Sequence, residues 1–230
     1  MNELLNISIL PLIVTLVAYQ IGVICQKKTR SALCNPILIA VILVLGFIFL
    51  TGMELDTYQT GTGFISWLLT PVTVCLAIPM YQQVQVLKKN WKAIVAGIAC
   101  GALSCMLMII AICAVMGLDK NLTITLLPKS VTTAIAVPLS QMAGGMGAVT
   151  TAVVICTGIL ANVLSPFLIR LFRLTDEIAA GVALGTSGHA IGTSKANELS
   201  PLTGAISSLS LVIAGLLTSV VFPAVTALLK

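Results

Sequence analysis

Charge is scarce in this chain: only 8% of its 230 residues are Asp, Glu, Lys or Arg, 5% are aromatic, and there is one histidine. An ordinary soluble domain carries about 25% charged residues, so this composition cannot cover a water-facing surface. The net charge of +5 comes from lysines and arginines scattered between apolar runs. That leaves no basic face to follow a phosphate backbone and excludes nucleic acid as a partner. The seven cysteines, at positions 25, 34, 75, 100, 105, 113 and 156, show no C-x-x-C spacing. They read as small hydrophobes rather than a metal, redox or disulfide framework. Asp176 and Glu198 fall at the ends of apolar runs, which argues against a buried acidic Na⁺ site, and no metal or cofactor is expected.

What the chain has is hydrophobicity, with 58% apolar residues and a mean hydropathy of +1.12. A bilayer crossing needs about 20 mostly apolar residues, and candidate runs lie near 6–25, 35–52, 63–83, 93–117, 122–142, 146–168, 178–197 and 204–228. This predicts an all-α polytopic integral membrane protein, multi-pass in a lipid bilayer, as a single domain over 1–230 with short connections and no linker. The first run follows a stretch, Met1 to Asn6, without Lys or Arg and is as long as a full span. It reads as a membrane helix rather than a cleaved signal peptide.

Three of the runs, beginning near 63, 122 and 178, are interrupted by Pro, Gly and polar residues. The lysines at 27, 28, 88, 89 and 92, with Arg30, read as inward-facing loops by the positive-inside bias. Arg170 and Arg173 then fall inside only if 122–142 enters and leaves on one side. The expectation is therefore six to eight transmembrane segments with two discontinuous or re-entrant elements, the re-entrant reading being preferred for 122–142, and with both termini on the outer face. An internal similarity, Val72 to Met80 against Val131 to Leu139, points instead to full crossing. Paired Pro-interrupted segments are the usual pointer to a transporter's binding site.

Lys129 stands in Leu126-Leu127-Pro128-Lys129-Ser130-Val131-Thr132-Thr133, a run otherwise apolar enough to be embedded. A basic side chain at mid-bilayer costs at least ~2.5 kcal/mol, and Pro128 suits the first position of a helix. A half-helix beginning here would aim free N–H groups, the hydroxyls of Ser130, Thr132 and Thr133, and the ammonium at one spot, which is an anion site. The alternative is a Lys129 that snorkels to the interface, with hydroxyls bonded to backbone carbonyls.

The second candidate is Gly185-Thr186-Ser187-Gly188-His189-Ala190-Ile191-Gly192-Thr193-Ser194-Lys195. On a helix, Gly181, Gly185, Gly188 and Gly192 form a seam for close backbone approach, with Thr186, His189, Thr193 and Asn197 beside it. Such a helix lines a pocket or unwinds there to offer backbone groups; a tightly packed helix would explain the glycines but not His189 and Lys195. Asn162 is isolated in an apolar run and reads equally as interhelical glue or pocket wall. Gly185 to Gly188 matches the G-x-S-G of rhomboid-type intramembrane proteases. His189 lies about 200 degrees round a regular helix from Ser187, where the two cannot pair. No catalytic residue is assigned, and the chain is not expected to be an enzyme.

At these residues the sequence resembles the LrgB/CidB family of bacterial membrane proteins. The resemblance rests on Leu127-Pro-Lys-Ser-Val-Thr-Thr133, Gly185-Thr-Ser-Gly-His-Ala-Ile-Gly-Thr193, Leu76-Ala-Ile-Pro-Met-Tyr81 and Gly204-Ala-Ile-Ser-Ser-Leu209. It implies a place in the bacterial inner membrane. It also implies one of two functions: transport of a small carboxylate such as glycolate, glycerate or pyruvate, or an antiholin-like control of murein hydrolase export and autolysis. A smaller LrgA/CidA-type membrane partner and a homo-oligomeric state are further implications. The chain departs from the family pattern at Ala134, where Pro commonly follows the threonines, and at Ser187-Gly188, where Ala-Ser is common. The substrate-binding set expected from residues and resemblance together is Lys129, Ser130, Thr132, Thr133, Asn162, Thr186, His189, Thr193, Ser194 and Lys195. Carboxylate transport is the favoured reading, either coupled to protons through His189 or running as simple facilitated flow.

Overall fold

The computed structural model describes residues 9–29, 35–75 and 77–229, and among them every regular element is a helix. The start of the first expected segment, Arg30, Cys34 and Leu76 lie outside the described residues. The surface is the reverse of a soluble protein's: Phe49, Val115 and Leu228 are 88%, 89% and 88% exposed, whereas Thr125, Ser140, Thr150, Ser207 and Ser208 are fully buried. A bilayer solvates the first group, and the second must find partners inside. The chain is an all-α polytopic membrane protein. Among the described residues, four helices are long and apolar enough to cross a bilayer.

The chain forms two compact units, Met1–Cys75 and Leu76–Lys230. In the first, α1 (Leu10–Thr29) packs on α2 (Pro36–Thr51). Lys27 and Lys28 close α1, where cations suit the negative helix end. Helix α2 is delimited by its own chemistry. Asn35 accepts from the Ile37 and Leu38 N–H groups, Pro36 takes the first position, and Gly52 at φ 65° ends the helix with its N–H on the Ile48 carbonyl. Two further helices, α3 (Leu55–Gly61) and α4 (Gly63–Cys75), complete the unit, and the Tyr58 hydroxyl bonds Thr15 at 2.6 Å.

The second unit runs α5 (Ala77–Gln82), α6 (Val84–Val115), α7 (Lys120–Leu126), α8 (Thr133–Met142), α9 (Gly147–Leu171), α10 (Glu177–Leu199) and α11 (Pro201–Leu229). Lys88, Lys89 and Lys92, expected in a loop, instead ride the first turns of α6, which at 32 residues is about 48 Å long and outlasts a bilayer core. Helices α6 and α11 run in the same direction. Leu87, Ile94 and Ile98 pack with Ile206 and Leu202 at one end, and Met106, Ile109 and Cys113 with Phe222 and Val225 at the other. Helix α9 runs oppositely, since Ile169 near its end lies with Ala180, Leu199 and Thr203. Lys88, Lys89, Lys92, Arg170 and Arg173 therefore gather at one end, called here the basic end.

Between these three long helices the chain makes two hairpins from opposite ends. In the first, Thr125 of α7 and Ser140 of α8 both reach Thr150 of α9: the Thr150 hydroxyl lies 3.1 Å from the Thr125 carbonyl and 2.8 Å from the Ser140 hydroxyl. A straight helix would separate residues 125 and 140 by about 22 Å. Segment 120–142 therefore enters and leaves at the end remote from the basic one, folding back through residues 127–132. In the second, α10 reverses its direction at His189, φ 43° and ψ −136°. A Cβ on Gly192 would lie 2.5 Å from the Leu184 carbonyl oxygen, and Leu199 lies with Glu177 and Ala180. The arms 177–188 and 190–199 are antiparallel, and both ends of this hairpin are at the basic end. The glycines expected to admit another helix do two jobs: Gly192 admits the hairpin's own first arm, while Gly181 and Gly185 lie on Ile206 and Ser207 of α11.

Candidate functional site

The tips of the two hairpins are the only non-helical backbone deep within the second unit's described residues, and both rest on α9. In the first tip, Pro128 has no N–H to continue α7. Lys129 N–H then bonds the Leu126 carbonyl at 3.2 Å and Val131 N–H the Pro128 carbonyl at 3.3 Å, two tight turns. Thr132 is extended (φ −62°, ψ 147°) and opens α8 without capping it by its side chain. The N–H groups of Ile135 and Ala136 both bond the Thr132 carbonyl at 2.9 Å. Those of Thr133 and Ala134 find no carbonyl among the described residues, as expected of a first helical turn.

Many hydroxyls turn back onto their own helix, as those of Thr123, Thr151, Ser208, Ser210 and Ser219 do at 3.0 Å or less. Those of Ser130, Thr132 and Thr133 make no hydrogen bond among the described residues, as is also true of Thr157, Thr175, Ser194 and Thr218; what sets the three apart is that they cluster beside Lys129 at one turn. Lys129 is half-buried with no ion pair; among the described residues the one ion pair is Lys195 with Glu198, at 2.6 Å.

The second tip is held, not free. His189 Nε2 donates to the Val154 carbonyl at 3.0 Å, which leaves Nδ1 as the ring's other polar atom. The ring lies where a side chain at position 158 would stand, because a Cβ on Gly158 would come within 2.6 Å of the imidazole. Asn162 Nδ2 donates to the Ile191 carbonyl at 3.1 Å. The Thr193 hydroxyl donates to the His189 carbonyl at 2.9 Å, and Ser207 of α11 then donates to Thr193 at 2.8 Å. Val154 joins the tips, its carbonyl taking His189 while its side chain packs on Val131 and Ala136 of the first hairpin. The Lys129 ammonium lies within electrostatic range of the His189 ring.

The geometry thus sets Lys129, Ser130, Thr132 and Thr133 on the first tip and His189 on the second, joined through Val154 and through the reach of Lys129 to His189, with Asn162 and Thr193 fastening the second tip. It sets the other expected residues apart. Thr186 bonds its own helix at Val182 and faces Gly101 of α6. Ser194 is exposed, and Lys195 stands six residues along the returning arm on Glu198. The Ser187 hydroxyl bonds the Ala183 carbonyl at 2.6 Å, while the His189 ring faces α9. Sequence reading missed Val154 and Gly158. A backbone carbonyl carries no sequence signal, but a glycine in the middle of a long apolar run was a legible sign of close approach. Between α6 and the first arm of the second hairpin lies a groove of about 640 Å³. Asn90 and Asp176 stand at its basic-end mouth, and Cys105, Thr186 and Ser187 at its deep end.

Comparison with known families finds one match: the profile described as the LrgB-like family covers residues 15–228. No solved structure matches the chain.

Proposed function

Because the chain belongs to the LrgB-like family, we propose that it carries a small monocarboxylate of the glycolate, glycerate or pyruvate type, bound between the two hairpin tips. The observation that supports this reading is the set of donors at the first tip without a partner among the described residues: one ammonium, three hydroxyls and two first-turn N–H groups. Polar groups left unbonded in a membrane interior are costly unless water or a ligand meets them. A set made of donors with a single positive charge suits a single carboxylate, and the hydroxyls suit a neighbouring hydroxy or keto oxygen. His189 Nδ1 is the donor or acceptor offered from the opposite tip, with Asn162 and Thr193 holding that tip in place. Both walls of the proposed site come from this chain.

In a bacterial inner membrane, the positive-inside bias sets the basic end toward the cytoplasm. The serine and histidine of the G-x-S-G stretch face different helices, so the reading is a carrier and not a protease. Thermal-shift titration of the purified protein with glycolate, glycerate and pyruvate tests the proposal. Saturable stabilisation by at least one of them is expected. No stabilisation by any of the three overturns it and leaves the antiholin-like reading, in which the chain acts without a substrate pocket.

A further inference from the structure

The two hairpins are fastened differently. The first is tied to α9 at its base, through Thr125, Ser140, Met146 and Thr150, and its tip is unbonded. The second is tied at its tip, through His189 to the Val154 carbonyl and Asn162 to the Ile191 carbonyl. The order of elements is also inverted. Helix α6 leads away from the basic end into a hairpin entering from the far end, and α9 leads back into a hairpin entering from the basic end. Two like parts in opposite orientation can exchange roles, and a structure in which one is latched and the other is not is one of the two resulting states.

We infer that the second hairpin is a gate between the site and the basic end, closed in this structure, with His189 and Asn162 as the positioning residues that latch it. The latch consists of two side-chain donors on backbone carbonyls, a strength that thermal fluctuation and ligand binding can shift. Packed interiors leave no room for such a movement, but this hairpin has open space along its first arm. Val182 and Thr186 of that arm meet α6 at Gly97 and Gly101, and beside this line of contact runs the groove of about 640 Å³, whose α6 wall of Ala93, Gly97 and Gly101 presents almost no side chain. A released arm slides along that small-residue face, which opens a path from the basic end to Lys129. The inference depends on the carboxylate reading only for what passes the gate.

The test uses full-length protein with its native cysteines replaced, in liposomes. Spin labels are placed on Ser194→Cys in the returning arm and Leu164→Cys on α9, both exposed positions. One dominant distance is expected without further change, and a second, longer distance is expected when Asn162→Ala weakens the latch. A variant that keeps the latch but fills the groove, Ala93→Phe, is expected to show the first distance alone. Locking the arm to α11 by oxidising Thr193→Cys with Ser207→Cys is expected to lower glycolate exchange at least tenfold relative to the same variant under reductant, which restores it. A single unchanged distance in all variants, or exchange by the oxidised lock at the reduced rate, overturns the gate. A distance change that responds to none of the three carboxylates leaves the gate standing and removes the substrate class instead. If Asn162→Ala does not fold, the lock decides the question.

Discussion

Gly192 lies against the backbone carbonyl of Leu184, eight residues earlier in the same segment. In an unbroken helix those residues stand about 12 Å apart. This contact defines the second hairpin, because the arms can close only where the returning one carries no Cβ.

Gly192→Ala is therefore expected to destabilise the protein by about 1–3 kcal/mol, the range for forcing extra atoms into a packed interior. The Leu184 carbonyl is backbone and cannot swing aside. Gly46→Ala is the control: Gly46 sits inside α2 with nothing within 4 Å of the added Cβ. That change is expected to be neutral or to gain about 0.5–1 kcal/mol through helix propensity. Midpoints of thermal unfolding in detergent compare the two. Equal stability of Gly192→Ala and the parent would mean the arms do not close at this point.

The base of the first hairpin makes a different prediction. Thr150 is fully buried and within hydrogen-bond distance of both Ser140 and the Thr125 carbonyl. Thr150→Val keeps the shape and removes the hydroxyl. Interhelical hydrogen bonds in membranes contribute about 0.6–1.7 kcal/mol, so a loss of that size is expected. Ser140→Ala should cost less in the Thr150→Val background than in the parent. Full additivity in the double-mutant cycle would show that the two hydroxyls act separately.

How much of this was legible depended on what kind of residue made each break. Pro128 marks the first break but not in the expected way: it ends α7 by withholding an N–H, and the half-helix expected to begin at it begins at Thr133. The placement of Arg170 with the lysines required 122–142 to return to its own side, and the hydrogen bonds of Thr150 show that return. The second reversal was not legible as such. It is made by His189 in a left-handed conformation that L-residues seldom adopt, amid residues with good helical spacing. The glycine stripe was visible, but one sequence cannot say whether a seam receives another helix, the same helix folded back, or, as here, both. The site was read from Lys129 and the adjacent hydroxyls, which the fold leaves unbonded. Lys195 was grouped with His189 by closeness in sequence, and the antiparallel arm carries it toward the basic end.

Lys129→Gln is expected to abolish carboxylate uptake into liposomes while leaving the protein folded. Removing a half-buried charge that has no ion-pair partner among the described residues relieves an insertion cost of about 2.5 kcal/mol or more, so the melting midpoint should hold or rise. The bound carboxylate would lose a charge-assisted hydrogen bond, about 1.5–3 kcal/mol or roughly 10- to 150-fold in affinity. Lys129→Arg keeps the charge but spreads it over a planar fork, and should retain binding more than uptake. Uptake by a well-folded Lys129→Gln at the parent rate would remove Lys129 from the site.

The last prediction concerns pH. His189 spends Nε2–H on the Val154 carbonyl, so a second proton can enter only at Nδ1. Histidine is the side chain that ordinarily exchanges its proton between about pH 5 and 8. Among the described residues, the charged group that acts on it is Lys129, from the opposite tip. With Nδ1 protonated, the ring offers a bound carboxylate a charged donor; without it, the same atom offers a lone pair facing the anion. Carboxylate and proton are therefore expected to bind together, and uptake by the parent should fall as pH rises through this window. His189→Gln can still donate to the Val154 carbonyl through its amide but cannot titrate, so it should keep the hairpin latched and flatten the profile. Initial rates of glycolate uptake between pH 5 and 8, with internal and external pH set equal, separate this from a purely structural histidine. The same slope in parent and variant would mean that His189 serves only as the hydrogen-bond donor that holds the tip, and that any proton dependence arises at another group.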